Sequence, residues 1–426
     1  MKALFLCGGI GKRMAPLAED KFLIKFLGKT LLEHQLDAVK SAGLNRVAFV
    51  CNPHNHERVK TIAAGTPGIS TELAVQREPR GIADTLESAA HLLDDEVLII
   101  NPDDIFEASA LTSLLLARSK HKAKSYLVGY KVKSYFPGGY LVTDEKGQLT
   151  HIVEKPGKGN EPSDMVNLLV HLHTEPRLLL KYISRVQTDR DDRYERALDM
   201  MCQDGKSVRV VPYAGPWQAI KYPWNILDGV RYFLDRAEGC ISRSAQISSN
   251  AVIEGKVVIA DNVRILENAV VRGPVYLGAG TIVGNSTLVR GYSHIGADCV
   301  IGFGTEIKGS YIGDDCGFHM NYIGDSIIGE RCNFGAGTIT ANWRFDEQPV
   351  SVGVGNELVD TGIIKFGAIV GNNCRTGINV SIMPGVKIGS NSFIGPATCL
   401  TKDITADTMV VGHALARSTR KSPRTH

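Results

Sequence analysis

The sequence predicts two folds in series: an α/β domain on a mostly parallel mixed sheet, then a parallel β-helix of hexapeptide repeats. Three observations carry this. The length of 426 residues exceeds one ordinary domain. Residues 1–235 alternate short Val/Leu/Ile-rich runs with amphipathic helical stretches. From residue 236 an aliphatic side chain returns at every sixth position.

In the first half, Ala3–Cys7, Arg46–Cys51, Glu96–Asn101 and Ser125–Tyr130 read as strands, and Leu31–Ala42 and Ala83–Leu93 as helices. Sheets of this kind bind ligands at the carboxyl ends of their strands. The first strand runs into Leu6–Met14, where Gly8, Gly9 and Gly11 let backbone N–H groups approach phosphate oxygens and Arg13 offers a cation. No Ser or Thr follows Lys12, which excludes a Walker A loop, and the third glycine of a dinucleotide fingerprint is absent. Taken alone, glycines after a strand fit a plain tight turn equally well.

In the second half, Ile241, Ile247, Ile253, Ile259, Ile265, Val271, Leu277, Val283, Val289, Ile295, Ile301 and Ile307 keep the six-residue period without a miss. The spacing shortens by one near Ile312–Phe318 and again at Ile323, then resumes through Val370, Thr376, Ile382, Ile388, Ile394 and Leu400. Each hexad supplies one flat face of a prism, with the aliphatic residue pointing inward. The repeat breaks between Thr338 and Lys365, around a loop Ile339–Ile364, and long interruptions in solenoids are usually functional. The expected boundaries are 1–235, 236–415 and a basic tail over 416–426 that reads as a frayed terminus.

Hydrophobic content of 43% and charged content of 22% suit a soluble globular chain, and a net charge of +3 argues against nucleic-acid and membrane-surface partners. The nine cysteines are scattered and form no C-x-x-C pair, which points to a reducing, cytoplasmic setting rather than disulfides or zinc. Ala3–Cys7 is too short for a signal peptide, and no apolar run is long enough to span a membrane.

The first domain resembles the sugar-1-phosphate nucleotidyltransferases, whose opening motif runs roughly G-G-x-G-x-R-(L/M)-x-P-L. Arg13, Pro16 and Leu17 match it, and Lys21 with Leu23 fits the lysine segment that follows. Gln76 and Gly81 fall where the family recognises the base, Asp103 where it holds a metal, and Gly139, Glu154-Lys155 and Asn167 in the order of its sugar-binding elements. The resemblance implies in-line attack of a sugar 1-phosphate on the α-phosphorus of a nucleoside triphosphate, with release of pyrophosphate. Arg13, Lys21 and Mg²⁺ on Asp103 would gather the two anions, and Lys155 would hold the sugar phosphate. Ala219, in Trp217-Gln218-Ala219-Ile220, stands where the family carries its second metal aspartate. The loop before Lys21 is short, and Asp20, Ile82 and Pro102 also depart from the pattern. Losing a carboxylate ligand weakens Mg²⁺ binding, with Asp104 the available substitute.

The second domain, in Gly317–Asp325 and Asn333–Asn342, resembles the left-handed β-helix acetyltransferase half of archaeal-type bifunctional N-acetylglucosamine-1-phosphate uridylyltransferase/glucosamine-1-phosphate acetyltransferases. That resemblance implies His319 as general base on the sugar amine attacking acetyl-CoA, with Tyr322 and Asn342 positioning the substrate. Arg290 and Lys308 fall at the sugar-phosphate cations. Gln348 replaces a lysine of the relatives, for which Arg344 is a candidate substitute. A homotrimer with sites between neighbouring β-helices is implied as well. Two alternatives stay open: an acetyltransferase whose first domain has lost activity, and a non-enzymatic regulatory subunit of a pyrophosphorylase-like complex. The pairs His54/His56 and His171/His173 lack a third ligand and read as loop or strand surface, not metal sites.

Overall fold

A computed structural model describes residues 1–17, 19–93 and 95–411, and the statements below concern these. The basic tail expected over 416–426 lies outside them. The chain divides into two compact units, Met1–Lys12 with Glu19–Lys221, and Arg13–Ala18 with Tyr222–His426.

The first unit is built on a nine-stranded mixed sheet. Lys2–Cys7 lies at its centre, parallel to Arg46–Cys51 on one side and Val97–Ile100 on the other, with Ser70–Val75 beyond. Its residues read almost uniformly apolar because both faces are covered, as is usual for central parallel strands. Phe5 stacks on Phe49 at 5.6 Å between ring centres. The other half of the sheet turns on Met165–His173, which runs antiparallel to Val97–Ile100, Ser125–Lys131 and Gly139–Thr143. Helix Leu31–Ser41 starts on a capping box, in which Thr30 accepts from the Glu33 N–H and Glu33 accepts from the Thr30 N–H. The stretch expected as one helix over Ala83–Leu93 is instead a short helix, Ile82–Ser88, followed by a 3₁₀ turn, Ala90–Leu92. Tightening of this kind is common where a helix ends.

The second unit is a left-handed β-helix with three parallel sheets of eight, nine and eight strands. Val257 pairs Val275, Ile265 pairs Val283 and Val271 pairs Val289, so one coil is three hexads. The shortened spacings appear as tighter coils, Ile295 pairing Ile312 and Ile312 pairing Ile328. Asn262, Asn268, Asp298, Asn373, Asn379 and Asn391 occupy corners with positive φ, a conformation that Asn and Asp tolerate best among non-glycine residues. At another corner the buried thiols of Cys299, Cys316, Cys332 and Cys374 each donate to a carbonyl of the next coil, at 3.1–3.2 Å. All nine cysteines are unpaired thiols.

Two repeat assignments change. Ile241 and Ile247 are 49% and 36% exposed rather than internal, because the first coil has a neighbour on one side only. The interruption begins later than Ile339. Ile339–Thr340 still pairs Tyr322–Ile323 and Ser381–Ile382, and the inward Thr340 hydroxyl accepts from the Gly324 N–H at 2.9 Å. A satisfied threonine thus fills an aliphatic slot. The excursion itself carries a hairpin, Ser351–Val354 with Glu357–Asp360.

Candidate active sites

The loop leaving Lys2–Cys7 is shaped by glycine. A Cβ on Gly8 would fall 2.0 Å from Gln76 Oε1, and one on Gly81, at φ +89°, would fall 1.9 Å from Asp191 Oδ1. Gln76 is buried beneath this turn. It accepts from the Thr85 hydroxyl at 2.9 Å and donates to Asp84 at 2.7 Å and to the Gly81 carbonyl at 3.4 Å. Both Gln76 amide protons are thus engaged, so donation to any further group would require it to release Asp84 or the Gly81 carbonyl. The Gly9 carbonyl accepts from Asn52, Gly11 adopts φ +52°, and Arg13 is exposed on the 3₁₀ turn Lys12–Met14.

At the next strand end Lys21 Nζ lies 3.1 Å from Asp103 Oδ2. Asp104, one residue on, is buried and lies directly opposite Ala219 in the antiparallel ladder of Asp104–Phe106 with Trp217–Ala219. Burial, and then the Asp103 charge, raise the Asp104 carboxyl above its ordinary range, while Lys221 opposes the shift. Asp103 offers a partly exposed carboxylate, Ala219 offers none, and among the described residues no three His, Cys, Asp or Glu side chains gather into a ligand set. Magnesium is commonly held by one or two carboxylates plus substrate phosphates, so Asp103 fits as its protein anchor.

Three of the expected sugar residues do converge. A Cβ on Gly139 would come 3.1 Å from Glu154 Oε2 and 3.5 Å from Asn167 Cβ. Lys155, at φ +46°, turns back to pair Glu154 at 2.8 Å. Glu195, on helix Arg193–Gln203, was not anticipated from the sequence. It is buried, and desolvation followed by the charge of Glu154 pushes its carboxyl up to about 8. His171 and His173 are not surface residues: both are fully buried in hydrogen bonds with Tyr194.

In the β-helix, His319 is exposed at a corner that Asn321 makes rigid. The Asn321 side-chain Oδ1 accepts from the His319 N–H at 2.5 Å, and its Nδ2 donates to the Gly335 and Thr338 backbone carbonyls. His319 lines a cavity of about 640 Å³ together with Arg331, Asn333, Arg375, Asn391 and Phe393. Around the next face, Asp325 accepts from Lys308 at 2.6 Å and from Asn342 at 2.5 Å, and Asn342 also donates to the Tyr322 hydroxyl at 3.2 Å. Burial and then the Asp325 charge raise the Tyr322 phenol, the Asn342 hydrogen bond opposes the rise, and Glu306 and Arg290, themselves paired at 2.9 Å, add smaller contributions upward and downward respectively. Arg344 is engaged by Asp346 out on the excursion and does not join this cluster. Asp325 and Glu306, which organise the cations, were missed as site residues, although Asp325 closes the Gly317–Asp325 segment that carries the resemblance.

A nucleotidyl transferase family model matches residues 2–218, and a six-repeat bacterial transferase hexapeptide model matches residues 367–402. The chain is 35% identical to the bifunctional protein GlmU of Methanocaldococcus jannaschii, covering 96% of this chain and 97% of that protein. It is 38% identical to the bifunctional protein GlmU of Methanococcus maripaludis strain C7, with coverage of 96% and 97%. It is 32% identical to the bifunctional sugar-1-phosphate nucleotidylyltransferase/acetyltransferase of Sulfurisphaera tokodaii, with coverage of 95% and 98%. With both matches in the order of the two folds and relatives aligned over nearly their full length, this chain belongs to the family of bifunctional sugar-1-phosphate nucleotidyltransferase/acetyltransferases.

Proposed function

We propose that the chain acetylates an amino-sugar 1-phosphate with acetyl-CoA in its β-helix and joins a sugar 1-phosphate to a nucleoside triphosphate in its first domain. The observation that supports the reading is that each unit brings candidate groups together, Lys21 beside Asp103 in the first, and in the second His319 beside a cavity with Tyr322, Asn342 and Lys308 on the next face.

In the first site Asp103 would hold Mg²⁺, which supplies charge neutralisation at the triphosphate. Lys21 brings positive charge to the approaching anions, and Gly139, Glu154 and Asn167 seat the sugar. The sugar phosphate oxygen forms the new bond to the α-phosphorus as the bond to pyrophosphate breaks. In the second site, His319 takes a proton from the sugar amine as its nitrogen bonds the thioester carbon, and the coenzyme A thiolate leaves. Arg331 and Arg375 on the cavity wall suit the anionic end of the acyl donor.

A homotrimer through the β-helix fits an exposed column beside His319. Phe303, Met320 and Ile378 stand two residues past the paired core positions Ile301, Phe318 and Thr376, and each is more than half exposed. Nine unpaired cysteines support a cytoplasmic setting, and among the described residues no helix is long and apolar enough to cross a membrane. A second reading, acetyl transfer alone, is favoured by Ala219 facing Asp104.

The experiment follows pyrophosphate release over a panel of nucleoside triphosphates and sugar 1-phosphates with Mg²⁺, and thiol release from acetyl-CoA with glucosamine 1-phosphate. The bifunctional reading requires Asp103→Ala to silence the first channel alone and His319→Ala the second alone. Thiol release without pyrophosphate from the wild type selects the second reading. Silence in both channels rejects both.

A further inference from the structure

The histidine pair that the proposed chemistry leaves unused forms the middle of a buried chain of hydrogen bonds that ends on the sugar site. Ser125 Oγ meets His173 Nδ1 at 2.8 Å, and His173 Nε2 meets the Tyr194 hydroxyl at 2.9 Å. The same hydroxyl meets His171 Nδ1 at 2.6 Å, and His171 Nε2 meets Asn167 Oδ1 at 2.6 Å. Ser125, His171, His173 and Tyr194 are each no more than 1% exposed. A register shift between Leu168 and His171 takes up the intervening residues, so side chains four positions apart on one strand can meet.

The protons in this chain can be assigned by elimination. Asn167 Oδ1 is a carbonyl oxygen and only accepts, so His171 Nε2 must carry a hydrogen. Burial disfavours the imidazolium form of both rings, lowering His171 and taking His173 down to about 3. A neutral ring carries one N–H, so His171 Nδ1 accepts from Tyr194. The Tyr194 oxygen then accepts from His173 Nε2, and His173 Nδ1 accepts from Ser125. With Oδ1 held inward, the Asn167 Nδ2 is left with two donors, and among the described residues no protein group takes them up.

We infer that Ser125, His173, Tyr194 and His171 are positioning residues that lock Asn167 with its N–H groups toward the sugar subsite it forms with Gly139 and Glu154. There they select a sugar 1-phosphate that presents a hydrogen-bond acceptor. The inference rests on the reading of that subsite given above, and its two halves are tested separately.

Nitrogen-15 spectra of histidine-labelled protein at neutral pH, with signals assigned by His171→Asn and His173→Asn, test the chain of bonds without any substrate. Both rings are expected as neutral Nε2–H tautomers. Nδ1–H tautomers, or a charged ring, overturn the assignment. Kinetics test the consequence. Asn167→Asp keeps an acceptor for His171 but has no donors, and Tyr194→Phe leaves the histidine protons unordered. Each is expected to raise KM for the sugar 1-phosphate about tenfold, the equivalent of one good hydrogen bond, with KM for the nucleoside triphosphate unchanged. Equal rises in both KM values, or an Asn167→Asp enzyme that binds sugar as the wild type does, overturn the selective role. A wild type that releases no pyrophosphate with any sugar 1-phosphate defeats the subsite reading and the substrate half together, while the ring spectra still decide the positioning chain.

Discussion

Replacing Ala219 with aspartate would put a carboxylate directly across the ladder from Asp104. Opposed residues in an antiparallel pair hold their Cβ atoms about 4.5–5.5 Å apart. Two unit negative charges about 5 Å apart repel by roughly 1–3 kcal/mol as the effective dielectric falls from 80 to 20. For a unit of this size each kcal/mol moves the melting midpoint by about 2–4 °C, so Ala219→Asp should melt about 2–12 °C below the wild type in EDTA. Magnesium should reverse the loss, because a cation shared by residues 103, 104 and 219 removes the repulsion. At a hundred times its Kd it stabilises the folded form by about 2.7 kcal/mol. The assay is thermal melting of both proteins in EDTA and over a Mg²⁺ titration, with calcium as a control for ion size. If the variant melts with the wild type in EDTA, and Mg²⁺ raises both equally, this strand pair is not an ion site and Ala219 does not explain weak metal binding.

Other outcomes follow from the packing and charges. Phe334→Ala removes a fully buried ring stacked on Phe318 at 5.1 Å and should lower β-helix stability by about 3–5 kcal/mol in denaturant titration. Glu195 has its folded pKa raised from 4.5 to about 8. Its contribution is therefore most favourable below pH 4.5 and is lost as pH rises to about 8, at most roughly 5 kcal/mol in all. Glu195→Gln should lack this slope, so melting curves at pH 5 and pH 9 should show the variant gaining on the wild type at the higher pH. Asp325→Asn leaves Lys308 without its ion pair and should cut thiol release while leaving pyrophosphate release unchanged, as paired assays would show.

Much of the fold was legible because its signals are periodic. The inward hexads fixed the β-helix from Ile259 onward, with every such aliphatic residue through Ile328 almost fully buried. The period could not show that Ile241 lacks a covering coil, because that depends on where stacking ends. Nor could it show that Thr340 continues the coil, because a threonine hydroxyl satisfied by Gly324 looks polar in sequence. The single-residue motif positions were legible one at a time, and Gly139, Glu154 and Asn167 did converge. What escaped were groups that act through others. Asp325 gathers Lys308 and Asn342 from different coils, and Tyr194 joins histidines that sequence spacing places on an apparently ordinary strand. Such partners meet only through tertiary contact. The expectation that His171 and His173 are surface residues failed for that reason.

The most direct test supplies glucosamine 1-phosphate, acetyl-CoA, a nucleoside triphosphate and Mg²⁺ together and reads products by mass spectrometry. The account predicts that the wild type makes a nucleotide-activated N-acetylamino sugar. Asp103→Ala should stop at the acetylated sugar 1-phosphate, His319→Ala should make none of that intermediate, and mixing the two variants should restore the final product. A wild type that accumulates N-acetylated sugar 1-phosphate and never the nucleotide sugar, with any of the triphosphates, would contradict the claim that both domains are catalytic.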